Sequence, residues 1–187
     1  MDIALTFLFG VAVAAVVVAL RVRFLSFRAQ SPADYDGLSP QFDIRRHLSG
    51  PIRCEGVIYG PFGKVTSRFT ARMQGDWSGD TGVLSERFLY DNGDIQERAW
   101  HLRIGNDGAI HATADDVPGA GEGWQKGPTV LLSYPIRLPP EAGGHTLTAT
   151  DWMYLIGDGV IINRSQFRKF GIKVAELVAT MRPEDRG

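Results

Sequence analysis

The chain has 187 residues, of which 44% are hydrophobic and 22% charged. That size suits one domain, or one domain plus an anchor, and the balance excludes wholesale disorder and a polytopic membrane protein. With 20 basic against 21 acidic residues the formal net charge is -1, which excludes the strongly basic surface of a nucleic-acid binder.

Ile3 to Leu20 read IALTFLFGVAVAAVVVAL, without a charge. Eighteen helical residues span about 27 Å, close to the roughly 30 Å of a bilayer's hydrocarbon core. A cleaved signal peptide would carry a basic leading region and a small-residue cleavage site. Here Asp2 follows Met1, and the flank beyond the apolar run is RVRFLSFR. Residues 1–30 are therefore expected to form an uncleaved single-pass anchor with a basic flank. Arg21, Arg23 and Arg28 all lie after the run, so the positive-inside rule favours a cytoplasmic domain.

Residues 31–52 are turn-rich and read as an extended lead-in, with one short helical turn over Phe42–Leu48. From residue 53 to 187 the period is two, broken by Gly, Asn-Gly and Asp-Gly turns. Val65, Ser67, Phe69, Ala71 and Met73 share one face. Leu84, Glu86, Phe88 and Tyr90 share the next, then Arg98, Trp100, Leu102 and Ile104. Val130, Leu132, Tyr134, Ile136 and Leu138 follow. The Gly-rich stretch Val117–Gly127 reads as a mobile hairpin loop and candidate lid. Eight to ten short strands with tight turns predict an all-β fold: an antiparallel up-and-down, lipocalin-like barrel behind one transmembrane helix, wide enough for one small ligand.

Parity decides which charges fall inside. A three-residue loop at Asp91-Asn92-Gly93, with Gly93 left-handed, pairs residue 90 with 94. Both apolar faces then agree, Leu84 faces Trp100, and Glu86 faces Arg98. An ion pair between Glu86 and Arg98 is expected inside the barrel. Asp151 alternates with Leu147, Ala149 and Met153; Arg164 with Val160 and Ile162; Glu176 with Val174 and Val178. Such charges either orient a ligand's head group or brace a narrow barrel, since an unpaired interior charge is costly.

His47, His101, His111 and His145 have no metal-ligand spacing, and the lone Cys54 makes neither a disulfide nor a cysteine cluster. Asp115-Asp116 follow a strand and read as a strand-to-turn cap as well as a candidate acid pair. There is no G-x-S-x-G elbow and no phosphate loop. No metal and no cofactor is expected.

The ordered motifs Pro40-x-Phe42-Asp43, Leu48-Ser49-Gly50-Pro51, Gly75-x-Trp77-x-Gly79, Glu86-Arg87-Phe88-x-Tyr90, Arg98-x-Trp100, Ala114-x-Asp116-Val117, Asp151-Trp152-Met153-Tyr154, Asn163-Arg164 and Lys169-Phe170-Gly171 resemble the bacterial domain of unknown function 3833 family. The resemblance runs from Pro32 to the C-terminal tail. It implies membrane attachment, which many members achieve as lipoproteins, a route that favours the periplasmic side. Members are often encoded near enzymes that modify membrane fatty acids, which implies a lipid ligand. Motif and parity together nominate Glu86, Arg98, Trp100, Asp116, Asp151, Trp152, Tyr154 and Arg164 as ligand-binding. The expected function is a membrane-tethered barrel for a small apolar or lipid-derived ligand, such as a fatty acid. The alternatives are an envelope assembly protein or a cofactor-independent lipid-modifying enzyme.

Overall fold

The structure, a computed structural model, describes residues 2–184; the end of the expected barrel domain, 185–187, lies outside the described residues. The chain divides into two compact units, Met1–Asp34 and Tyr35–Gly187. The first contains helix α1, Ile3–Phe24, whose apolar run is uninterrupted until Arg21 and Arg23 in its last turn. Asp2 caps its N-terminus by accepting from the Ala4 amide. This helix is long and apolar enough to cross a membrane.

The second unit begins with a lead-in and the short helix α2, Ile44–His47, within the helical turn expected over 42–48. Ten strands follow: β1 Gly50–Tyr59, β2 Val65–Ser78, β3 Thr81–Tyr90, β4 Ile95–Ile104, β5 Ala109–Thr113, β6 Gly121–Lys126, β7 Thr129–Arg137, β8 Thr146–Leu155, β9 Ile161–Lys169 and β10 Ile172–Pro183. Each pairs antiparallel with its sequence neighbour, and β1 also pairs with β10, so the sheet closes into an up-and-down, lipocalin-like barrel. Closure removes the exposed sheet edges that invite aggregation. The first strand starts three residues before the expected Arg53.

One expectation fails outright. The stretch 117–127 is a strand over Gly121–Lys126, paired with β5 and β7, and not a loop. Its inner positions are Gly121 and Gly123, both buried, so no apolar alternation marks it. A Cβ at Gly123 would lie 2.1 Å from the Leu131 carbonyl oxygen, which explains why the position carries no side chain.

The lead-in closes one end of the barrel. Phe42, Ile44 and Leu48 are buried in the core cluster. The Phe42 amide donates to Gly127 O at 2.8 Å, and Trp77 Nε1 donates to Leu48 O at 2.8 Å. Arg45 reaches Asp80 at 2.6 Å. The opposite end is bordered by the β1–β2, β3–β4, β5–β6, β7–β8 and β9–β10 connections.

Candidate functional site

A cavity of about 460 Å³ runs inside the barrel, within the 300–1,000 Å³ typical of small-molecule sites. Ile44 and Leu48 line it at the closed end, and Ile58, Tyr90, Leu138 and Phe167 toward the other. Its wall is mostly aliphatic and aromatic. A polar cluster interrupts it midway along the strands, and nearer the β3–β4 turn the Tyr90 hydroxyl donates to Gln96 Oε1 at 2.8 Å.

That cluster follows from the register predicted at the β3–β4 turn. The Tyr90 amide donates to Asp94 O at 2.9 Å and the Gly93 amide to Tyr90 O at 3.0 Å. Gly93 has φ +90°, a conformation that suits glycine because it has no Cβ. Leu84 then lies across from Trp100, and Glu86 from Arg98, as expected. The expected ion pair does not form between them. The Arg98 guanidinium instead pairs with Asp116, just beyond β5, and sits over the Trp100 ring at 5.3 Å. Asp116 is thus more than a turn cap: its main-chain oxygen accepts from the Arg137 amide while its carboxylate turns inward.

Glu86 is left buried without an ion-pair partner among the described residues. Burial pushes its carboxyl up to about 7; Arg98 pulls it down, and Asp151 and Asp116 push it up. Asp151 is also raised, by burial, against hydrogen bonds from Ser165 and Tyr134 that lower it. The Tyr134 hydroxyl donates to Asp151 Oδ2 at 2.9 Å, and its ring meets Trp100 edge-on at 4.9 Å between centroids. Burial opposes the charge on Arg98, but Tyr134, Glu86 and Asp116 more than offset it. Cys54, in the same wall, has a thiol pushed up to about 12 by burial, so it is a poor nucleophile. Among the described residues no group of His, Cys, Asp and Glu could hold a metal ion.

Four buried polar atoms have no hydrogen-bond partner among the described residues: Arg98 Nε, Asp116 Oδ1, Asp151 Oδ1 and Asn163 Oδ1. All four side chains line the cavity. Buried polar atoms are nearly always paired; these four, from β4, the segment after β5, β8 and β9, face one cavity from different sides of the barrel.

Glu86, Arg98, Trp100, Asp116 and Asp151 therefore come together. Trp152, Tyr154 and Arg164 do not join them. Trp152 and Tyr154 face outward from β8, where the Tyr35 ring packs 5.5 Å and 6.1 Å from theirs. Arg164 also faces outward. On β9 the inner positions are Asn163, Ser165 and Phe167; the adjacent pair Ile161-Ile162 leaves parity ambiguous, and the strand begins after Val160. Glu176 is displaced for a different reason. A bulge between Lys173 and Ala175 shifts β10 by one residue, so Ala175, Leu177 and Ala179 point inward. Outside, Glu176 accepts from Arg164 at 2.7 Å, Gln166 at 3.1 Å and Lys173 at 2.7 Å. Burial raises the Glu176 carboxyl, but its Lys173 and Arg164 contacts prevail and hold it below the usual range.

Sequence reasoning placed Tyr134 on the inner face but missed its role, because it sat in an apolar row. Ser165 and Asn163 were missed because β9 carries polar residues inward. Their alternation with Ile161 and Phe167 was the available signal.

The fold is shared with solved structures of low sequence similarity. The S-type phycobiliprotein lyase CPES from Guillardia theta aligns with a TM-score of 0.55 at 8% identity, covering 77% of this chain and 92% of that one. Rv2717c from M. tuberculosis aligns at 0.55 and 15% identity, covering 79% and 99%. No curated protein matches the sequence. The family model described as "Protein of unknown function (DUF3833)" matches residues 21–183, all ten strands and the approach to them, and the chain belongs to that family.

Proposed function

We propose that this protein is a bilayer-tethered barrel that binds a small, mainly apolar, lipid-derived ligand, with α1 as its single-pass anchor. One observation carries the reading: a mainly apolar cavity of 460 Å³ whose lining includes four buried polar atoms without a partner among the described residues. An acyl or similar chain would take the apolar wall, and the head group would take the cluster. With its carboxyl pushed up to about 7, Glu86 can donate as an acid near neutral pH, and Asp151 is raised in the same direction. Arg98 adds an N–H donor. This mixture suits an oxygen-bearing head such as an acid, ester or hydroxyl. A carboxylate would compete with Asp116 for Arg98.

An apolar fluorescent probe, 1-N-phenylnaphthylamine, tests this on residues 31–187. That span holds the closed barrel and its entire core cluster. The expected result is saturable fluorescence enhancement, weakened at least tenfold by Met153→Trp, which fills the cavity. Absence of enhancement, or an unaffected variant, would overturn the proposal.

A catalytic reading is favoured by one feature: Glu86 is buried, raised and not held in an ion pair, as a general acid–base group needs to be. The barrel shared with a protein named as a phycobiliprotein lyase is compatible with either role. Enzymatic turnover would appear as a change in the chromatographic retention or the mass of a component of an added lipid extract, lost in Glu86→Gln while probe binding persists.

A further inference from the structure

Around the end of the barrel away from the lead-in, the β1–β2 and β9–β10 connections present two phenylalanines to solvent. Phe62 and Phe170 are each 93% exposed, and Ile172 and Val65 beside them are 69% and 50% exposed. Because β10 pairs with β1, these are neighbouring tips. Both are flanked by lysine: Phe62 by Lys64, and Phe170 by Lys169 and Lys173. Lys169 Nζ lies 5.7 Å from the Phe170 ring centroid, and Lys173 is engaged by Glu176.

The backbone at Phe170 is an independent sign that the ring is not incidental. Phe170 has φ +52° and Gly171 φ +79°. Lys169 and Ile172 pair across them, so this is a two-residue turn of the kind that prefers Asn-Gly. A bulky aromatic with positive φ is a conformational outlier, and such outliers cluster at functional positions.

We infer that these two tips dock on an anionic lipid bilayer, with Phe62 and Phe170 inserting at the interface and Lys64 and Lys169 meeting the headgroups. Apolar side chains such as phenylalanine bury at the boundary between headgroups and acyl chains, and surface lysines are drawn to anionic leaflets. The acidic tip Asp91-Asn92-Gly93-Asp94 lies on the other side of β2, so charge complementarity favours the two Phe tips over the whole rim. The surface uses no residue of α1 and does not depend on the cavity holding a ligand. It would bring the end of the cavity lined by Ile58, Tyr90, Leu138 and Phe167 toward the bilayer.

Vesicle flotation of residues 31–187 tests it, using phosphatidylcholine with and without phosphatidylglycerol. Binding is expected with phosphatidylglycerol, to fall at least tenfold in F62S/F170S, and to fall with added salt or in K64E/K169E. Phe170→Asn is the control against misfolding: it should raise the thermal midpoint, because Asn tolerates the turn, yet weaken flotation severalfold. Failure of the wild-type domain to float would overturn the inference, as would equal flotation of F62S/F170S. Flotation with an empty cavity would contradict only the ligand proposal.

Discussion

Tyr134 on β7 donates to Asp151 Oδ2 on β8 at 2.9 Å, while the other oxygen of that carboxyl, Oδ1, is buried without a partner among the described residues. The hydroxyl is one of two hydrogen-bonding groups that hold the Asp151 pKa down against burial. Removing it leaves a buried carboxyl with one donor fewer. Tyr134→Phe is expected to cost about 1–3 kcal/mol, the usual penalty for orphaning a buried polar group, and to raise the Asp151 pKa further. Denaturant unfolding and carboxyl carbon NMR titration read the two effects. Unchanged values for both would show that the bond is not made in solution.

Glu86 makes stability depend on pH. Its folded pKa of about 7 lies above the ordinary 4.5, so the folded state holds this proton more tightly than the unfolded chain. The contribution is fully present below pH 4.5 and is lost as pH rises through 7. Each pKa unit between the two states is worth about 1.4 kcal/mol, so the loss is on the order of 3 kcal/mol. Asp151 acts in the same direction. Glu176, held low by its partners, acts oppositely, and only as pH falls below the same 4.5. Unfolding midpoints measured from pH 5 to 8 should decline in the wild type and flatten in Glu86→Gln, which should be the more stable protein at pH 8. Parallel curves would contradict the assignment.

Arg98 and Asp116 are expected to be strongly coupled. Both side chains are largely buried, at 12% and 27% exposure. Truncating one partner of a buried pair leaves an uncompensated charge and costs about 3–5 kcal/mol. Arg98→Met should therefore be much worse than the double variant Arg98→Met with Asp116→Asn. A double-mutant cycle giving additive losses would contradict the pairing.

Outside the barrel, Arg164 braces Glu176 without lining the cavity. Arg164→Ala is expected to lower stability by about 1 kcal/mol, given the pair's partial exposure, and to leave probe affinity unchanged. Loss of probe binding in a folded Arg164→Ala protein would show that β9 has been assigned the wrong face.

Gly75 shows how tightly the lead-in seals its end. A Cβ there would lie 1.9 Å from the Leu48 carbonyl oxygen, so Gly75→Ala must push the lead-in away. Overpacking of this kind costs about 1–3 kcal/mol, read as a lower thermal midpoint.

How much of this was legible in the sequence depended on the strand. In β3 and β4 the inner rows are apolar apart from Glu86 on one and Gln96 and Arg98 on the other, so parity and the Gly93 turn placed Glu86 across from Arg98. Parity could not reveal that Arg98 would turn to Asp116, because that residue lies beyond the end of β5. On β6 the inner row is glycine and advertised no face, and on β9 the only sign of the inner row was the spacing of Ile161 and Phe167 around Asn163 and Ser165. On β10 a single bulged residue reversed the faces, and nothing in IKVAEL marks it. Trp152 and Tyr154 were nominated by the motif Asp151-Trp152-Met153-Tyr154, but they face away from the cavity and pack against Tyr35.

Native mass spectrometry of residues 31–187 purified from a bacterial host, with extraction and identification of any bound lipid, tests whether the barrel holds a ligand with its head at Arg98. A co-purifying apolar molecule that is lost in a folded Arg98→Ala protein is expected. An apo mass that added lipids fail to shift would contradict it, and would leave the inner charges as braces within the barrel.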